Sequence, residues 1–117
     1  MISHFKKIKY EKYLFSSREI WTKINRDAKF FMFRTAVDTD ELDDYLAVIE
    51  RPMDFDKMLD KLDRHEYGCA RDFLDDIDLI VSNALTYNDD PLYETNKVIC
   101  HRAHALQVRK NYFMTFP

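Results

Sequence analysis

Tyr87 and Asn88 stand where the most regular apolar stretch of the chain stops, just ahead of Asp89-Asp90-Pro91. An asparagine amide is a neutral group that both donates and accepts hydrogen bonds. Two readings stand at that position. Asn88 either ends a helix and nothing more, or it faces a pocket at the helix end, where its NH2 donates to a ligand carbonyl. Acidic residues gather elsewhere, with Asp38, Asp40, Glu41, Asp43 and Asp44 close together. Their order lacks the alternating carboxylates and glycine of a calcium loop. They read as a solvated loop or as a rim that attracts a basic peptide. His101 and His104 share one helix face beside Cys100, but no second cluster completes a metal set at recognisable spacing. Ser16-Ser17 has no base at a spacing that would activate it. Nothing here forms catalytic machinery, so binding is expected rather than catalysis, with no cofactor. Phe30-Phe31-Met32-Phe33 adds four large apolar residues in a row. They cannot all face one core; two or three pack inward, and at least one lies at a surface or groove, where exposed apolar area tends to mark binding.

The 117 residues give room for one domain, expected over 1–117 with a core at about 12–114. Such a length buries roughly two-thirds of its unfolded surface. Apolar residues make up 46% and aromatics 15%, which excludes a disordered chain. A single glycine, Gly68, argues against a strand-and-turn fold and excludes a glycine-rich phosphate loop. The net charge of −3 makes nucleic acid an unexpected ligand. The basic stretch Lys6, Lys7, Lys9 and Lys12 is read as a solvated face and interrupts any signal-peptide core. No apolar run approaches the ~20 residues of a membrane span. Two cysteines, Cys69 and Cys100, do not make a disulfide framework and suit a reducing compartment. A soluble intracellular domain, part of a longer chain, is the expectation.

Four helices must position these residues. Leu14, Ile20, Trp21, Ile24 and Ala28 recur at helical steps, so a first helix is expected from about Tyr10 to Ala28. Residues 34–53 read as a long loop with one helical turn near 41–46, closed by Arg51-Pro52. Loops of that length are uncommon in compact domains and often functional. Asp54 caps a second helix striped by Phe55, Met58, Leu59 and Leu62, which ends near His65-Glu66-Tyr67-Gly68, with Gly68 a good stop. A third runs from about Ala70 to Tyr87, its broad apolar face made by Phe73, Leu74, Ile77, Ile80, Val81, Ala84 and Leu85. Asp72, Asp75, Asp76 and Asp78 sit in its N-terminal half, where the helix dipole favours negative charge. The last begins at about Leu92 or Thr95 and reaches Tyr112, striped by Val98, Ile99, Ala103, Leu106 and Tyr112 or Phe113.

Taken in order, these segments resemble the bromodomain family over roughly Leu14 to Phe113. Asp44-Tyr45-Leu46-Ala47-Val48-Ile49-Glu50-Arg51-Pro52-Met53-Asp54-Phe55 looks like the family's loop-to-helix signature. Asp76 through Asn88 looks like its third helix, which ends on the acetyl-lysine asparagine. Val37-Asp38-Thr39-Asp40-Glu41, Ser82-Asn83-Ala84-Leu85 and His101-Arg102-Ala103 resemble the branch joined to an AAA-type ATPase in chromatin proteins. The resemblance implies an all-α, left-handed antiparallel four-helix bundle with a long loop between the first and second helices. It also implies a nuclear, chromatin-bound reader of acetylated histone tails, and a parent chain that oligomerises through an AAA ATPase module. No ATPase motif lies in these residues. A helical scaffold that keeps the fold but has lost acetyl-lysine affinity is the alternative.

The resemblance implies roles position by position. Asn88 donates to the acetyl carbonyl, and Tyr45 holds a water that bridges to the same oxygen. Val37, Leu42 and Tyr87 line the channel, and Phe33 meets the acetyl methyl. Phe31 and Met32 replace the family's usual Trp-Pro shelf. The loop from Asp89 to Lys97 is about one residue longer than the branch pattern, so the gatekeeper is Ile99 or Val98, with Tyr93 at the rim. Asp38, Asp44, Asp89 and Asp90 supply the acidic surround for a basic peptide.

Overall fold

The extended backbone at Ser16 (φ −68°, ψ 161°) sets the start of the first helix. Ser16 Oγ accepts from the Glu19 N–H at 3.2 Å, and Glu19 Oε1 accepts from the Ser16 N–H at 3.3 Å. This reciprocal capping box satisfies two backbone donors that a helix start leaves unpaired. A continuous helix from Tyr10 to Ala28 is therefore not formed; α1 is Ser17–Arg26. The serine pair that offered no catalytic arrangement is partly a cap. The computed structural model describes residues 15–114. Tyr10, Leu14, His4 and the Lys6 to Lys12 stretch lie outside the described residues.

Asp27 ends α1 and accepts from the Lys29 N–H at 3.0 Å, opening a 3-10 segment over Ala28–Phe33. With about three residues per turn, positions three apart share a side. Phe30 and Phe33 accordingly go into the core, while Phe31 is 63% exposed and Met32 half-buried. The aromatic run divides between core and surface, as its length requires.

Residues 34–54 cross the bundle with one helical turn, α2 (Tyr45–Val48), later in the chain than the turn expected near 41–46. α3 (Phe55–Asp63) starts at the Asp54 cap, whose carboxylate accepts from the Lys57 N–H at 3.0 Å. It ends just ahead of the expected stretch His65 to Gly68, but the stopping residue differs. His65, not Gly68, takes the left-handed conformation (φ 55°). The Glu66 N–H reaches Lys61 O at 2.9 Å and the His65 N–H reaches Leu62 O at 3.1 Å, the two bonds of a Schellman motif. α4 is Ala70–Tyr87, as its periodicity predicts. α5 is Glu94–Met114. On it Phe113 rather than Tyr112 is buried, and Val98 is half-exposed rather than part of the core stripe.

α4 and α5 form the longest packed pair, and α1, α3 and the 3-10 segment close the core over them. Phe30, Phe55, Phe73, Ile77, Leu106 and Phe113 are fully buried. Two acids of α4 do more than complement a dipole. Buried Asp76 accepts from Lys61 Nζ and from the Tyr67 hydroxyl, each at 2.6 Å. Burial first, then this carboxylate, pushes the Tyr67 hydroxyl well above the usual phenol range and keeps it a donor. Asp78 holds Lys110, whose ammonium is buried between α4 and α5 with both carboxylate oxygens within 2.8 Å.

That second pair is asymmetric, because Lys110 is only 5% exposed while the Asp78 side chain is 36% exposed. Asp78→Ala strands a buried ammonium and should lower the unfolding free energy in urea by about 2–3 kcal/mol. Lys110→Met leaves a carboxylate that water can reach and should cost less than about 1 kcal/mol. Equal losses in the two variants would contradict this account.

Candidate functional site

Four residues of α4, Ile80, Asn83, Ala84 and Tyr87, and its C-cap Asn88 follow helical spacing along one face at its C-terminal end. They form one wall of a cavity of about 110 Å³. The long loop and the 3-10 segment supply the other wall through Met32, Phe33, Thr35, Val37, Leu42, Tyr45 and Met53, and Ile99 of α5 closes the mouth. The volume admits several waters or one acetamide-sized group. Its walls are mostly apolar, so the polar groups that reach it decide what it accepts.

Asn88 is the C-cap of α4, with φ −101° and ψ 46°. Its backbone N–H and its Nδ2 both donate to Ala84 O, at 3.1 and 2.9 Å. One amide hydrogen is thus spent locally, and the second has no partner among the described residues. The Tyr45 ring is buried, and its hydroxyl likewise has no partner among them. Burial raises the Tyr45 pKa, so the hydroxyl stays protonated and able to donate. The hydroxyl oxygen is not among the buried polar atoms left without a partner, so it is open to water or ligand.

Two contacts hold the loop against α4. The Tyr45 and Tyr87 rings meet edge-to-face with centroids 4.8 Å apart. The Tyr87 hydroxyl donates to Asp44 Oδ1 at 2.5 Å. Tyr87 titrates high, pushed up to about 12, chiefly by this bond and then by lost solvent and the charges of Asp44 and Asp43. Asn83, an asparagine in the middle of an apolar face, donates from Nδ2 to Arg51 O at 2.8 Å and so fixes the loop's far end. Sequence reasoning missed Asn83 as a cavity residue, although a polar residue within an apolar helical stripe was the available signal. Thr35 and Met53 carried no comparable mark.

Beside the cavity runs a wider groove of about 680 Å³ that shares Leu42, Tyr87, Asn88 and Ile99 with it. Asp44, Asp89, Asp90, Val48 and Tyr93 line it. Asp38 lines neither space; its carboxylate accepts from the Asp40 and Glu41 N–H groups of its own turn. Phe31 also lines neither, while Met32 does reach the cavity. Of the two gatekeeper candidates, Ile99 lines the cavity and Val98 points elsewhere, half-exposed. Cys100 Sγ donates to the backbone carbonyl of Asn88 at 3.2 Å. His101 and His104 are exposed on α5, and no group of three or more potential metal ligands occurs among the described residues.

Known proteins agree with this architecture. Residues 17–101 match the bromodomain family model. The chain is 46% identical over 90 residues to human ATPase family AAA domain-containing protein 2B, covering 77% of this chain and 6% of that protein. It is 43% identical over 90 residues to the mouse ATPase family AAA domain-containing protein 2, covering 77% and 9%. Tat-binding homolog 7 of Caenorhabditis elegans is 37% identical over 90 residues, covering 77% and 7%. The chain therefore spans less than a tenth of the length of these curated relatives. The bromodomain of human BAZ1A superposes with a TM-score of 0.72 at 23% identity, covering 82% of this chain and 85% of that one, a likeness of fold. The chain belongs to the bromodomain family, the modules with which chromatin proteins bind acetylated lysine. It is a binding module; the ATPase in the relatives' names belongs to their longer chains.

The Tyr87–Asp44 bond predicts a pH window. A tyrosine whose folded pKa lies above its unfolded value, near 10, stabilises the fold fully below pH 10. That stability is lost as pH rises from 10 through about 12. A spectrophotometric titration should show one phenolate signal moving downward, toward the ordinary range, in Asp44→Ala. Unchanged titration curves would show that this bond does not hold in solution.

Proposed function

We propose that this chain reads acetyl-lysine on histone tails in the nucleus. The observation that carries the reading is the convergence of two neutral polar groups, the Asn88 amide and the Tyr45 hydroxyl, on one apolar cavity beside an acidic groove. A lysine ammonium placed there would be a buried charge without a counterion, which is costly. Acetylation turns it into a neutral amide with a methyl group. The free amide hydrogen of Asn88 then donates to the acetyl carbonyl, and Tyr45 holds a water that donates to the same oxygen. Phe33 receives the methyl, while Val37, Leu42 and Tyr87 wall the channel. Ile99 acts as gatekeeper, with Met32 and Phe31 as the shelf and Tyr93 at the rim.

One neutral hydrogen bond contributes only about 0.5–1.5 kcal/mol net, so affinity for a single acetyl-lysine is expected to be micromolar or weaker. Asp44, Asp89 and Asp90, with Asp38 farther out, give the surround a negative potential that favours a basic tail. No partner other than such peptides is proposed for this module, and assembly of a longer parent through an AAA ATPase part would lie outside it.

Calorimetric titration with acetylated and unmodified tail peptides tests this. The acetylated peptide should bind measurably and the unmodified one should not. Asn88→Ala should weaken binding about tenfold or more, through loss of the donor to a buried carbonyl. Tyr45→Phe, which keeps the ring, should weaken it less. Equal binding of both peptides to all three proteins would leave a helical scaffold as the better description. Raising the salt concentration should weaken binding of the basic acetylated peptide, because exposed charges are screened; insensitivity to salt would rule out a role for the acidic surround.

A further inference from the structure

Two side chains one turn apart on α5 grip the backbone that carries Asn88. Asn96 Nδ2 donates to the carbonyl of Asp90 at 3.0 Å, and Cys100 Sγ donates to the carbonyl of Asn88 at 3.2 Å. Their i, i+4 spacing puts them on the same face of the helix. The carbonyls at a helix C-terminus have no partner within their own helix, and the partner that Asn88 takes comes from α5. Asn88 already spends its N–H and one amide hydrogen on Ala84 O. With its carbonyl held as well, both backbone torsions are pinned, and so is the direction in which the side chain leaves the Cα. Cys100 does not line the cavity, and Asn96 lines only the open groove.

Resting on the reading of Asn88 as the acetyl-lysine donor, we propose that Asn96 and Cys100 are positioning residues for acetyl-lysine recognition. They hold the carbonyls of Asp90 and Asn88 from α5 and thereby fix the aim of the free Asn88 amide hydrogen. Neither touches the acetyl group. The turn after Asn88 has backbone freedom of its own, and each of its residues must be ordered before the donor is aimed.

The test compares Cys100→Ala, Cys100→Ser, Cys100→Val and Asn96→Ala with the parent chain, using an acetylated histone-tail peptide as the probe. Cys100→Ala and Cys100→Val lack the donor, the second with side-chain bulk retained. Both should weaken binding about threefold or more, the range expected for one hydrogen bond. Asn96→Ala should do likewise, and Cys100→Ser, which keeps a hydroxyl donor, should recover most of the loss. In the ligand-free protein the Asn88 side-chain amide signals in a proton–nitrogen spectrum should shift in Cys100→Ala and return in Cys100→Ser. Parental affinity with unshifted Asn88 signals in Cys100→Ala would overturn the proposal. So would a Cys100→Ser variant as weak as Cys100→Ala. If the parent chain itself fails to bind the acetylated peptide, the reader function fails, while the ligand-free spectra still decide whether these bonds orient Asn88.

Discussion

A loop such as residues 34–54 can serve as a pocket wall only if it is held in one conformation, and ordering each residue costs about 1–2 kcal/mol of backbone entropy. Here a series of bonds to flanking helices holds it. Arg34 Nε donates to Asn25 O at 2.8 Å, and Arg34 O accepts from the Asp56 N–H at 3.0 Å. Trp21 Nε1 donates to Phe55 O at 2.8 Å, tying α1 to the start of α3. Asn83 takes the Arg51 carbonyl and Tyr87 takes Asp44. Remove these ties and the apolar residues of the loop would still be attracted to α4, but without the fixed spacing that leaves a cavity of defined size.

The same ties arrange the electrostatics. Tyr87 presents its hydroxyl to Asp44, so one carboxylate of the acidic surround faces the groove while its bonded oxygen is satisfied. The cavity behind it contains amide and phenol groups and no formal charge among its lining residues. A neutral interior beside an acidic approach attracts a basic chain but penalises a charged side chain that tries to enter. In the proposed reading, selection for a neutralised lysine follows from that contrast rather than from any single contact.

Away from the site, the bundle spends buried polar chemistry on joining helices. Asp76 links α3, through Lys61, to the turn that carries Tyr67, and Asp78 links α4 to α5 through Lys110. Both acids lie on α4, the helix whose far end carries Asn88. Buried charges of this kind are tolerated only when fully bonded, which constrains how α3 and α5 can sit against α4 and hence where Ile99 meets the cavity.

Much of this was legible in the residues. The bounds of α4, the Asp54 cap, the split of Phe30 to Phe33 and the stop at Asn88 all follow from periods and caps that act within a few residues. Local signals were also present but unread, as in the Ser16–Glu19 capping box, or ambiguous, as at Gly68, where His65 took the left-handed position instead. What the amino-acid order could not specify alone were pairings between distant positions: Asp44 with Tyr87, Arg51 with Asn83, Asn88 with Cys100. Helical spacing places Asn88 at the end of α4, but the direction of its amide depends on how α5 crosses beside it. Helix periodicity is a property of neighbours in the chain, whereas a pocket is a property of elements that meet only after the whole bundle has packed.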